Sequence, residues 1–450
     1  MSQSTSLKKV LILGGGFGGI NVLRKIQKSF RNNVNVRISL VSKDNFLLYT
    51  PMLPQVASGL LHATDITIPI RRLCKQAEFY QAHVSAIDLE QKLVTITRTF
   101  DGKVHALEYD YLVLALGSDT NFFGNENIKK YSFGIKTVED AIAIRNQVIS
   151  MLENAAQTSP GEFQKKLMTF TVIGGGFAGV ETMGEINQLV RESVKNFYPS
   201  ISQDKINMVL VTSENCILPE VGEKLGRAAR EYLESVGVRV LINTKAVDAD
   251  ESYVELDNGE KIPCFTLIWA AGVRVDPVIT ELKCRHDKSG RVQVDRYLRV
   301  LDHPDVFALG DCASIINPAT GKPYPPTAQN AVHESNTVSE NLKRTINGKE
   351  DLKEFIFRSK GMMTTLGKRV SIVVVFGHHL KGFLAWLIWR NYYLTQMPSL
   401  HERIKVMMSW TFEIFFKRDL TFVGKIKKKT LTKVEMEYDR PSIKDLFGDL

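Results

Sequence analysis

Short aliphatic and β-branched runs, separated by helix-like stretches, set the pattern of this chain. Residues 7–13 read as a strand, 18–29 as a helix and 36–42 as a second strand, a strand–helix–strand opening. Tyr109–Ser118 is a buried strand that ends in small residues. Thr158–Gly161 looks like a connector, and then the pattern returns, with strands predicted near 168–173 and 206–212. Thr266–Val273 again ends a buried strand in small residues. The order of an opening strand followed by an Ala-x-Gly strand therefore occurs twice, which predicts an internal repeat of two nucleotide-binding domains. After it, the strand in Pro304–Ala313 ends in Gly310-Asp311, and Pro325–Gln329 opens another helix. Beyond about residue 350 the composition turns to Trp, Phe, Tyr, Met, Lys and Arg.

Each repeat carries the same glycine fingerprint between its first strand and its helix. The first is Gly14-Gly15-Gly16-Phe17-Gly18-Gly19 and the second, 160 positions on, is Gly174-Gly175-Gly176-Phe177-Ala178-Gly179. In this motif the first glycine (Gly14, Gly174) allows the tight turn. The second (Gly16, Gly176) lets a pyrophosphate approach the backbone, and the third (Gly19, Gly179) allows close helix–strand packing. The phosphate then sits at the positive end of the helix. One such motif says little. Two in strand–turn–helix context imply two dinucleotides in one chain, and the usual reason is electron transfer between them.

Composition narrows this modestly. A chain of 450 residues accommodates two or three domains, and 44% hydrophobic with 24% charged residues is ordinary for a globular protein. No apolar run reaches the ~18 residues of a membrane span, and the N-terminus runs straight into a strand with no signal-peptide core. Five cysteines without CxxC spacing suggest neither a disulfide framework nor a metal site, and fit a reducing compartment. His378-His379 lacks a third ligand at metal spacing and reads as a turn.

Charge is uneven. Residues 355–435 hold 15 Lys/Arg against 4 Asp/Glu, more than the whole chain's net +9, so the remainder is slightly acidic. The basic surplus describes a surface of the C-terminal segment and not a general affinity for nucleic acid. There Trp386, Trp389, Tyr393 and Met397 share one helix face, and Ile404, Met408, Phe412 and Phe415 share another. Lys381, Arg390, Arg403, Lys405, Lys417 and Arg418 flank them, and Lys425, Lys427, Lys428 and Lys429 follow. Apolar aromatic faces with basic flanks predict helices lying in a membrane surface, where each Lys near an anionic leaflet adds about 1 kcal/mol. The competing reading is that the same faces are core or a dimer interface. Without a spanning helix the chain has no path across a bilayer and is not expected to pump protons.

These motifs together resemble the two-dinucleotide flavoprotein disulfide reductase superfamily, and within it the type II (alternative, non-pumping) NADH:quinone oxidoreductases. The resemblance covers nearly the whole chain: the first fingerprint, Asn45–Pro54, Leu112–Ser118, Gly174–Glu181, Trp269–Arg274, Gly310-Asp311, Pro325–Gln329, and Gly382-x-x-Ala385-Trp386-x-x-Trp389-Arg390 with Tyr393-Leu394. It implies an α/β fold of two Rossmann-like dinucleotide-binding domains plus a C-terminal amphipathic, membrane-associated segment. The FAD domain is split over 1–150 and 286–350, the NAD(P)H domain is inserted at 151–285, and 351–450 anchors the chain to the membrane.

By the same resemblance FAD is held by Gly14, Gly16, Phe17, Gly19, Ser42, Lys43, Thr50, Pro51, Val84, Ala115, Gly117 and Asp311. Asp311 binds the ribityl-phosphate arm, and Ala328-Gln329 starts a helix that faces the isoalloxazine near the quinone. NADH is held by Gly174, Gly176, Phe177, Gly179, Glu181, Thr212, Ala271 and Gly272. Glu181, Gln329 and His333 are the candidate catalytic residues, with Glu181 near the nicotinamide and flavin. No metal is expected. The implied reaction is FAD-dependent NADH oxidation with two-electron reduction of a membrane quinone. The implied setting is a homodimer lying monotopically on the cytoplasmic face of the cell membrane.

Three departures stand out. Ser42 replaces the acidic residue at the end of the second strand, with Asp44 close by. Thr212 replaces the glutamate that would bind the adenosine ribose of NADH and repel a 2′-phosphate, which leaves NADPH open, although Glu214 stands two residues on. His333 replaces the second glutamine of Ala-Gln-x-Ala-x-Gln. Sulfide:quinone oxidoreductases share the fold but need a cysteine pair near the flavin, and no cysteine lies between Cys74 and Cys216. A non-catalytic flavin and nucleotide sensor at the membrane is the third reading.

Overall fold

The computed structural model describes residues 7–357, 361–375 and 377–421. Its chain divides into two compact units. The first takes the described residues within Met1–Leu48, Thr67–Asp119 and Val273–Ser359; the second takes those within Tyr49–Ile66, Thr120–Gly272 and Lys360–Leu450. The cuts fall near 119 and 272, and Tyr49–Ile66 groups with the second unit. The expected segment limits were 150, 285 and 350.

The first unit is built on an eight-stranded sheet. Its centre is five parallel strands in the order His303–Ala308, Tyr111–Leu114, Lys8–Leu13, Val36–Ser42 and Glu78–Asp88. Leu93–Arg98 and Val104–Glu108 extend it antiparallel on one side and Arg299–Val300 on the other. Tyr111–Leu114 is buried at all four positions and Val10–Leu13 likewise, the near-continuous apolar reading of parallel strands covered on both faces. Helices Phe17–Ser29 and Ala328–Ile346 belong to this unit. Ile20, Val22, Leu23 and Ile26 of the first and Val338 and Leu342 of the second enter its core.

The second unit repeats the plan. Phe133–Gly134, Thr266–Trp269, Thr169–Ile173, Asn207–Val211 and Val238–Leu241 form a five-stranded sheet in that order, parallel throughout. Helix Phe177–Phe197 follows the fingerprint strand. A three-stranded antiparallel sheet, Ala246–Ala249, Tyr253–Leu256 and Lys261–Pro263, covers part of it, with Val254, Leu256 and Ile262 in a shared core with Val209, Val211 and Leu267.

The C-terminal described residues form an antiparallel meander, Gly361–Thr365, Ser371–Val375 and His378–Gly382, then helices Phe383–Gln396 and Leu400–Phe415. His378 and His379 are thus the start of a strand and not a turn, because Val374 and Val375 offer it a partner. The sequence expectation for the first helix is corrected here. Trp389 and Met397 are fully buried and Trp386 nearly so, within the second unit. The Arg390 guanidinium lies 3.8 Å from the Trp386 ring centroid and 4.5 Å from that of Trp410, and Trp410 donates its indole N–H to Gln55 at 3.0 Å. This face is core, held by cation–π stacking. The second face is exposed as expected: Ile404, Met408, Phe412 and Phe415 lie 44–76% open, alongside Phe383 and Leu384 of the first helix. No helix among the described residues is long and apolar enough to cross a membrane. Lys425 and Lys427–Lys429 lie outside the described residues.

Candidate functional site

In the first unit, strand Lys8–Leu13 runs into Gly14, where φ is +113°. A Cβ there would stand 2.0 Å from the carbonyl oxygen of Ala115, and one on Gly19 would stand 1.9 Å from the carbonyl oxygen of Gly14. Both contacts forbid any side chain. Gly16 differs: nothing lies within 4 Å of the place its Cβ would occupy. Gly16 is also the N-cap of helix Phe17–Ser29 and supplies no side-chain cap. The turn is closed on the strand side and open at the helix N-terminus, where backbone donors and the macrodipole favour an anion.

The second unit reproduces this to within about half an ångström. Gly174 has φ +125°, and a Cβ would meet the Ala270 carbonyl oxygen at 2.5 Å; on Gly179 it would meet the Gly174 carbonyl oxygen at 1.9 Å. Gly176 caps helix Phe177–Phe197, again without a side-chain bond. The repeat extends to the two departures. A Cβ on Gly15 would touch Ser42 Oγ at 2.4 Å, and one on Gly175 would touch Thr212 Oγ1 at 2.6 Å. Ser42 and Thr212 are both buried, so each hydroxyl occupies the strand-end position expected of a carboxylate. Thr212 Oγ1 accepts the backbone N–H of Glu214 at 3.3 Å.

Each expected residue has a definite place. With the first cradle go Phe17, Ala115, Gly117 and Lys43, the last 3.7 Å from Asp119. Val84 packs against the core of that unit. Asp311 sits in the turn Gly310–Cys312 and accepts the Ser118 hydroxyl at 2.6 Å. Thr327 caps helix Ala328–Ile346 through Asn330 N–H at 3.2 Å, which puts Ala328 and Gln329 in its first turn as expected. His333 packs against Phe357 with tilted rings whose centroids are 4.7 Å apart. With the second cradle go Phe177, Glu181, Ala271 and Gly272. Thr50 and Pro51, expected beside FAD, form a short turn that belongs to the second unit.

Glu181 lies just past the first turn of its helix, which holds no acidic residue, so it does not simply complement the helix N-terminus. It is buried, and Oε1 accepts both the Thr364 hydroxyl at 3.0 Å and the Thr365 N–H at 3.1 Å. Burial pushes its pKa up to about 8 against those two hydrogen bonds, which lower it.

The structure of an NDH2 from Plasmodium falciparum in complex with NADH superposes with a TM-score of 0.86 at 23% identity, over 92% of this chain and all of that one. A sulfide:quinone oxidoreductase from Aquifex aeolicus gives 0.70 at 19% identity, over 91% of this chain and 95% of that one. In sequence, residues 8–335 match the pyridine nucleotide-disulphide oxidoreductase family. A type II NADH:quinone oxidoreductase of Mycobacterium tuberculosis is 30% identical over 96% of this chain and 91% of its own length. The chain belongs to that family, as a type II NADH:quinone oxidoreductase.

Several residues of the enzyme carry no signal that sequence reading picked up. Glu334 accepts the N–H of Gly310 at 2.7 Å, and burial pushes it up to about 7. It shares the buried helix face of Ala331, Ser335 and Val338, and that spacing is the one signal that could have marked it. Glu185 accepts the Ser58 hydroxyl at 2.7 Å and lies 3.5 Å from Arg418. Five cysteines complete the set of nucleophilic side chains. All five are free, and burial pushes Cys264 and Cys312 up to about 12 and Cys74 and Cys284 up to about 11. None of those four is an activated thiolate.

Proposed function

We propose that this enzyme oxidises NADH through FAD and passes two electrons to a membrane quinone, at a membrane surface and without pumping protons. The duplicated cradle carries the reading, since it supplies one pyrophosphate site in each unit. Gly14, Gly16, Gly19, Ser42 and Asp311 fit FAD in the first unit: the open glycine would take the pyrophosphate and the carboxylate the ribityl arm. Gly174, Gly176, Gly179 and Thr212 fit NADH in the second. Bound FAD supplies two-electron chemistry between a nicotinamide and a quinone.

The chain's own residues bind, orient and store protons. The Asp311 carboxylate, held by Ser118, would anchor the first dinucleotide. Oε1 of Glu181 already accepts two hydrogen bonds, so at neutral pH the proton resides on Oε2. Quinone reduction consumes two protons, and Glu181 holds one in a buried place. Gln329 is an uncharged donor and acceptor at a helix start, suited to a quinone carbonyl. The exposed apolar face of Leu400–Phe415 supports monotopic attachment, with the cytoplasmic face as the side that supplies NADH. The same helices offer area for a homodimer.

The test is steady-state turnover of the purified holoenzyme with NADH and a short-chain quinone, with chromatography of the released cofactor. NADH-dependent quinone reduction with FAD released is expected. Quinone reduction with sulfide but not NADH, or absence of FAD, would overturn the reading.

A further inference from the structure

The loop after strand Asn207–Val211 holds a carboxylate in a place the family pattern does not assign, and its meaning rests on the reading of the second unit as the nicotinamide nucleotide site. Thr212 fills the strand-end position where a carboxylate would choose NADH over NADPH. From there the chain passes Glu214 and turns back. Ile217 and Leu218 are fully buried. Leu218 adopts the left-handed conformation, φ 53° and ψ 52°, and donates its N–H to the Gly175 carbonyl at 2.7 Å. A left-handed leucine costs roughly 1 kcal/mol and persists only where its surroundings hold it.

The effect of that geometry is placement. The short turn Pro219–Val221 starts at the next residue and ends on Gly222, φ 87°. Gly226 of helix Glu223–Ser235 packs against the Ile217 carbonyl oxygen, 2.4 Å from where its Cβ would be. The turn is therefore pinned to the fingerprint at one end and to a helix at the other. It points Glu220 at the mouth of the cradle: Oε1 lies 4.0 Å from the Cβ position of Gly176, where the first cradle has nothing at Gly16. Glu220 itself stays solvent-exposed, so its carboxylate is free to turn toward a ribose. Residues 212–222 contain Glu214 and Glu220 and no Lys or Arg.

We propose that Glu220, and not the strand-end residue, is the carboxylate that makes this enzyme choose NADH over NADPH. A carboxylate accepts hydrogen bonds from the ribose hydroxyls that NADH offers. The 2′-phosphate of NADPH removes one hydroxyl and adds nearly two negative charges. The pyrophosphate is common to both nucleotides and is met by the helix N-terminus, so it does not enter the choice. One carboxylate facing two phosphate charges across roughly 6 Å of water-like surroundings amounts to about tenfold in affinity. No basic residue of the loop offsets it.

The experiment uses the holoenzyme and its Glu220→Gln, Glu220→Asp and Glu214→Gln variants. Kd values for NADH and NADPH are read from tryptophan fluorescence, and kcat/KM for each from turnover with a short-chain quinone, at low and high salt. In Glu220→Gln the NADH preference should fall about tenfold, through Kd and KM for NADPH with kcat little changed. Glu220→Asp should keep most of the preference, Glu214→Gln should leave it within about threefold, and added salt should narrow it in every form that keeps a carboxylate at 220 and not in Glu220→Gln. An unchanged preference in Glu220→Gln, or an equal loss in Glu214→Gln, overturns the proposal. Binding selectivity that survives without any turnover overturns the quinone reductase reading and supports this one. Failure to bind either nucleotide overturns both.

Discussion

Replacing Glu181 with Gln isolates the most consequential buried carboxylate. Its folded pKa of about 8 stands above the ordinary 4.5 because burial penalises the anion. Between those two pH values the folded chain keeps a proton that the unfolded chain has released. Stability is therefore complete below about pH 4.5 and is lost as pH rises toward 8, by up to about 1.4 kcal/mol per pH unit. By pH 7 the accumulated loss is roughly 3 kcal/mol. Gln keeps the acceptor that Thr364 and Thr365 use and removes the titration. Urea unfolding of parent and Glu181→Gln at intervals from pH 5 to 8 should give a difference curve that grows by about 4 kcal/mol in favour of the variant. Turnover should fall in the same variant, because a buried proton store is gone while the fold gains. Parallel pH–stability curves would refute the buried, protonated carboxylate.

Other consequences are as direct. Glu334→Gln should flatten the stability profile between about pH 4.5 and 7, by up to roughly 3 kcal/mol, in the same urea series, since burial pushes Glu334 up to about 7. Gly179→Ala places a methyl 1.9 Å from the Gly174 carbonyl oxygen; overpacking of about 1–3 kcal/mol should weaken NADH binding at least about fivefold by fluorescence titration, with FAD content unchanged. Gly19→Ala should do the reverse. The double variant Phe412→Ser with Phe415→Ser removes two exposed rings, each contributing about 2 kcal/mol when buried, and should lower co-sedimentation with anionic vesicles more than tenfold while activity with a soluble quinone persists.

Much of the fold was legible because period and punctuation are local. The strands at Lys8–Leu13, Thr169–Ile173 and Asn207–Val211 and the helix start at Ala328 lie within a residue or two of expectation. The glycine at each turn has the positive φ its motif demands. The aromatic faces show the limit. Spacing tells which side chains share a face but not what covers it, so Trp386 and Trp389 looked like a membrane surface and are core, while Phe412 and Phe415 are exposed. What decides between them is the stacking of Arg390 on Trp386 and Trp410, and Trp410 lies 20 residues away.

The site divides in the same way. Glu181 was visible as a carboxylate after a fingerprint, but its burial comes from Thr364 and Thr365, more than 180 residues on. Gly184 brings them there, since a Cβ on it would stand 2.5 Å from the Leu366 carbonyl oxygen. Glu220 sits eight residues past Thr212, beyond any motif, and reaches the cradle through the left-handed Leu218. Thr50 and Pro51 follow the first fingerprint closely in sequence, yet contacts place them in the second unit.

In the proposed reaction electrons pass from NADH to quinone through a flavin held by this chain. Anaerobic flavin absorbance tests it most directly: NADH is added to the purified holoenzyme, then a short-chain quinone. Bleaching by NADH at one equivalent per flavin and full return of the oxidised spectrum with quinone are expected. A flavin that NADH leaves oxidised, or that stays bleached when quinone is added, would contradict it.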